Sequence, residues 1–136
     1  MYFQYFTTVP IFVYIQNLLI VFLSHYLFIK GLQNFISINT PLAFLFFLSY
    51  PYTNDLLIHP SLQEKYSFLL VGISLIYIKK LNVNRYIFFL IALTVPLIKL
   101  QGTIFLFLYI AIHLKLKNIN SQYALLGIST GILLQT

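Results

Sequence analysis

The chain contains no cysteine, which excludes disulfides, a thiol nucleophile and Cys-ligated zinc or iron–sulfur sites. It has only two acidic residues, Asp55 and Glu64, in 136. Charged residues of both signs make up 7% of the chain, against about 25% in an ordinary soluble domain. No phosphate-binding glycine loop, nucleophile elbow, His/His/carboxylate metalloprotease spacing or internal repeat is evident. What fills the chain is hydrophobic: 60% of residues, with a mean hydropathy of +0.91. A disordered chain is excluded, because disorder needs low hydrophobicity and high charge. A soluble globule of this length leaves too much of its surface exposed to hide so many apolar side chains. The class that fits is an all-α polytopic transmembrane bundle, forming a single domain over residues 1–136.

Hydropathy divides the chain into six segments. Ile11 to Ile29 is uncharged and ends at Lys30-Gly31; its nineteen residues span about 28 Å, close to a bilayer core. Gln16 and Asn17 are expected to face other helices from it. Phe35 to Tyr50 is the second segment, with a break near Asn39, a start signal at Thr40-Pro41 and a stop at Pro51. Ser61-Leu62-Gln63-Glu64 fits a capping box before the third, Leu62 to Ile78, closed by Lys79-Lys80. Tyr86 to Leu114 is too long for one helix and carries Lys99 at its middle. It divides into a hairpin, Tyr86 to Ile98 and Thr103 to Leu114, with Pro96 a kink site in the first arm. Asn118 to Gln122 reads as a polar loop, and Tyr123 to Leu134 is the sixth segment. Met1 to Ile29 has no positive n-region, so a cleaved signal peptide is not expected.

The net charge of +6 supports this division. Its basic residues stand as singles and pairs beside apolar runs, which favours positive-inside sorting over nucleic-acid binding. With the first segment running from outside to inside, Lys30, Lys79, Lys80, Arg85, Lys115 and Lys117 fall inside. Lys65, Lys99 and both acids fall outside, and both termini are outside. Seven tyrosines, among them Tyr26, Tyr77 and Tyr123, lie near segment ends, as interfacial rings do.

Few residues carry chemistry. Asp55, His59 and Glu64 are the only acidic and imidazole cluster on one side, a set suited to proton transfer or to a divalent cation. A structural reading competes: Glu64 completes the capping box, Asp55 caps a turn, and His59 precedes a proline. Lys99, at the hairpin tip, suits a lipid phosphate or pyrophosphate, or is an ordinary interfacial lysine. His25 and His113 read as packed or interfacial. Gly127 and Gly131 match the small-xxx-small helix contact, within the chain or against a partner.

Three stretches taken together carry a resemblance. His25 to Pro51 reads HYLFIKGLQNFISINTPLAFLFFLSYP, His59 to Lys80 reads HPSLQEKYSFLLVGISLIYIKK, and Ile91 to Lys115 reads IALTVPLIKLQGTIFLFLYIAIHLK. Their order resembles the middle of the GT-C superfamily, polytopic glycosyltransferases that use polyprenyl-phosphate sugars. The resemblance implies sugar transfer on the outer face, with Lys99 as a donor-phosphate contact and Asp55 or His59 at most auxiliary. It also implies a bacterial inner (plasma) membrane. The family's acidic first outer loop has no counterpart here, which implies a fragment of a longer polytopic protein, inactive alone. Two other readings compete: a small non-catalytic membrane subunit that packs on a partner through Gly127 and Gly131, and a small transporter.

Overall fold

The computed structural model describes residues 10–49, 55, 56, 59, 63–98 and 103–135. Among them are six α-helices and no strand: α1 Ile11–Leu32, α2 Thr40–Ser49, α3 Glu64–Tyr77, α4 Arg85–Ile98, α5 Phe105–Leu116 and α6 Ile119–Gln135. The expected number of helical segments and their order hold. Only α1 is both long and apolar enough to cross a membrane; its 22 residues span about 33 Å. The hairpin arms α4 and α5 are about 21 and 18 Å long. The connection 99–102, which contains Lys99, lies outside the described residues, as does Ser61 of the expected capping box.

Helix boundaries follow asparagine side chains. Asn39, rather than Thr40, caps α2: its Oδ1 accepts the Leu42 N–H at 3.2 Å and its carbonyl accepts Ala43 N–H. Thr40 sits inside the helix, and its hydroxyl takes the Gln33 side-chain amide. Asn84 accepts Tyr86 N–H at 3.0 Å and starts α4. Asn118 accepts Ser121 N–H at 2.8 Å and starts α6, so the expected loop at 118–122 is the cap and first turn of that helix. At α3 no side-chain cap bond forms at Gln63. The helix α1 continues past Lys30 through Gly31, and α4 runs unbroken through Pro96.

Glycine decides which helices touch. A Cβ at Gly72 of α3 would lie 2.6 Å from the Phe28 nitrogen, and one at Gly31 of α1 would lie 2.5 Å from Leu75 Cβ. Only a bare Cα fits there, so α1 and α3 meet backbone to backbone. A second lock repeats the device. A Cβ at Gly127 of α6 would lie 2.3 Å from the Phe89 carbonyl oxygen, and one at Gly131 would lie 2.5 Å from that of Leu93. Thus α6 beds against α4, with the Pro96 ring beside Gly131.

These registers set directions. Asn17 meets Lys65 and Gly31 meets Leu75, so α1 and α3 are parallel. Phe89 meets Gly127 and Leu93 meets Gly131, so α4 and α6 are parallel. Phe22 stacks on Phe44 and Gln33 meets Thr40, so α2 runs back along α1. His113 bonds Ser121 at 2.9 Å across the α5–α6 turn, so α5 runs back along α6. The chain therefore doubles back between α4 and α5, as the hairpin reading expects. It forms two triplets, α1–α3 and α4–α6, each with its outer members locked by glycine. The α3–α4 contact joins them around Val71, Leu75, Phe88, Ala92 and Ile128.

Several polar side chains are buried beside the apolar core, and many large apolar ones face outward. Asn17, Ser24, His25, Lys65, Ser67, Ser74, Asn120 and Ser121 are buried. Ile11, Leu42, Phe107 and Leu133 are each at least two-thirds exposed, at 78%, 68%, 74% and 73%. Water disfavours that exterior and hydrocarbon accepts it.

Candidate functional site

One end of the bundle gathers most of the positive charge. Lys30 ends α1, Lys79 and Lys80 follow α3, Arg85 opens α4, and Lys115 and Lys117 close α5. Their stems and heads lie on aromatic faces: Lys30 over Tyr26 at 5.7 Å, Lys79 over Phe35 at 5.0 Å and Lys80 over Tyr77 at 4.9 Å. The Arg85 guanidinium lies between Tyr86 and Tyr123, 5.5 and 5.3 Å from the ring centroids. The last carbonyls of α3 are held by side chains from elsewhere. Asn34 donates to Leu75 O at 3.1 Å, Asn118 to Ile78 O at 3.0 Å, and Asn120 to Ile78 O and Lys80 O at 3.2 and 2.9 Å. The helix end, which otherwise leaves four carbonyls unsatisfied, is thus tied to both triplets.

The opposite end holds the buried cation. Lys65, expected on the outer side at the start of the third segment, lies in the first turn of α3 and is 1% exposed. Its ammonium donates to Asn17 Oδ1, and the Asn17 amide donates to the Leu56 carbonyl at 2.8 Å. The expectation for Asn17 holds: it faces α3 from α1. Gln16 does not follow it; the side chain is exposed. It lines the rim of a cavity of about 90 Å³ with Val13, Asn17, Ile20, Lys65 and Tyr66. A cation at a helix N-terminus opposes the macrodipole, so Lys65 and the end of α3 add their positive potentials at this cavity. Glu64, also buried, is the acid in the same first turn. The carboxylate and the ammonium stand on adjacent residues of one turn, so their side-chain charges offset each other there.

The other candidates fall as follows. Asp55 is exposed and His59 half-buried; the His59 N–H donates to the Asp55 carbonyl at 2.9 Å, a main-chain turn that seats Leu56 over Asn17. Among the described residues no three His, Asp or Glu side chains converge as a metal site. Gly127 and Gly131 meet α4 of the same chain, so their face is covered internally. His25 is packed as expected, its Nδ1 2.8 Å from Val21 O and its ring stacked on Phe68. Lys65 was legible only as one charged residue beside a capping signal. Nothing local marks its burial, because Asn17 lies 48 residues earlier.

No family model, no curated protein and no solved structure matches the chain.

Proposed function

We propose that the chain is a multi-pass membrane protein whose end opposite the basic collar binds the phosphate of a lipid-linked compound. The observation that carries the membrane part is the apolar exterior: large Leu, Ile and Phe side chains face outward, while Asn, Ser, His and Lys side chains are buried beside the apolar core. Six of the eight basic residues at one end agree with positive-inside sorting and support a reading in which that end faces the cytoplasm. Short helices are accommodated by thinning of the bilayer and snorkelling of lysines. The phosphate part draws on the GT-C resemblance, with Lys99 as donor contact, and on the buried Lys65 beside a small cavity at the N-terminus of α3. The chemistry is electrostatic positioning of a polyprenyl-phosphate sugar. Asp55 and His59 stay auxiliary, and a divalent cation is not needed for binding by ammonium groups. The subunit reading needs a face other than Gly127 and Gly131, since α4 covers that one.

Two measurements test this. Because native cysteine is absent, single cysteines at positions 82 and 100 report topology directly. Labelling from opposite compartments is expected; labelling from the same one sinks the map. Binding of polyprenyl phosphate to the reconstituted chain is expected to fall in Lys99→Ala and Lys65→Met. Unchanged binding in both ends the lipid-phosphate reading.

A further inference from the structure

A second site lies at the basic end, away from Lys65. A cleft of about 210 Å³ separates α1 from α5, lined by Leu32, Phe35, Ile36, Leu108, Ala111, Ile112 and, at its mouth, Lys115. It lies where α5, packed on α6, meets the first triplet: Phe105 packs on Phe28 and Phe68 with centroids 6.0 and 5.4 Å away, and Tyr109 and Ile112 join the core.

Phe35 organises the charge around it. Its carbonyl accepts from the Lys115 ammonium, and its ring lies 5.0 Å beneath the Lys79 ammonium. Lys79 also donates to the adjacent carbonyl, that of Asn34. Two exposed cations are thereby brought to one turn of chain, each bonded to a neutral carbonyl. Each ammonium has three donors. The protein's only acids, Asp55 and Glu64, belong to the other end, so no carboxylate of this chain offsets the pair.

An apolar slot lined by Lys115, with Lys79 over the Phe35 ring that forms part of its wall, matches one amphiphile class. We infer that this cleft holds an anionic phospholipid, its acyl chain along Leu108 and Ile112 and its phosphate at Lys79 and Lys115. The inference rests on the membrane reading above, but not on the lipid-linked phosphate at the opposite end. A free phosphate satisfies the lysines and leaves the apolar wall uncovered, whereas a phospholipid covers both.

The test uses the full chain in phosphatidylcholine vesicles carrying trace spin-labelled phosphatidylglycerol or phosphatidylcholine. The motionally restricted fraction is expected to favour phosphatidylglycerol by about fivefold, with Lys79 and Lys115 acting together on one phosphate. Lys115→Gln is expected to bring the ratio close to one. Ala111→Phe, which fills the slot and keeps every charge, is expected to do the same. Lys80→Gln, whose ammonium lies over Tyr77, is expected to leave the selectivity within twofold of wild type. Millimolar inorganic phosphate is not expected to displace the lipid. Equal restriction of the two lipids by the wild-type chain overturns the proposal. So does a selectivity that survives Ala111→Phe, which marks a diffuse charge effect, and so does displacement by phosphate. A chain that does not remain with the vesicles overturns this proposal and the membrane reading together; one that remains but does not select overturns this proposal alone.

Discussion

The Lys65 ammonium on α3 donates to Asn17 Oδ1 on α1, joining two helices 48 residues apart inside the bundle. Asn17 passes the contact on, since its own amide donates to Leu56 O. A hydrogen bond to a charged group is worth about 1.5–3 kcal/mol, and more is lost when one partner is removed than when both are. Asn17→Leu is therefore expected to destabilise by about 3 kcal/mol, and Lys65→Met by less. The loss in the double variant is expected to fall well below the sum of the two. Unfolding in detergent, followed by circular dichroism, measures the cycle; strictly additive losses refute the coupling.

The two glycine locks make a prediction about assembly. Gly127→Ala forces a methyl into the Phe89 carbonyl, and Gly72→Ala forces one into the backbone at Phe28. Each is expected to cost about 1–3 kcal/mol through overpacking, or more where the backbone cannot shift. Sedimentation is expected to show no change of oligomeric state at concentrations where the variant is folded. Loss of a dimer in Gly127→Ala, with monomer stability intact, contradicts the internal lock.

Asn120 tests the tie on α3. It is buried and donates to Ile78 O and Lys80 O. Asn120→Ala is expected to cost about 1–2 kcal/mol and to speed hydrogen exchange at the α3–α4 turn. Asn84→Ala, an exposed cap, is expected to cost about 1 kcal/mol and to leave exchange at that carbonyl cluster near wild type. Equal exchange in both variants removes the distinction between tie and cap.

How much of this was legible depends on where each signal resides. The six helices follow from runs of apolar residues bounded by Lys, Asn and Pro, all local features. The doubling back between α4 and α5 follows from the cost of a lysine within one long helix. The first turn of α6 was read as loop because Asn118, Asn120 and Ser121 are polar. They are helical because Asn118 caps and Asn120 finds distant carbonyls. Gly127 and Gly131 show themselves by spacing on one helix. Gly31 and Gly72 do not, since their match is made across two helices. Lys65 was missed for the same reason. Lys99, on which the reading of the hairpin tip turned, lies outside the described residues.

The triplets carry one last implication. Each contains an odd number of helices, so α4 starts at the end of the bundle where α3 stops, and the second triplet stands upside down relative to the first. The α1–α3 lock is complete once Tyr77 has been made, while the α4–α6 lock awaits Gly131. Every residue of the first lock therefore leaves the ribosome before any residue of its inverted counterpart.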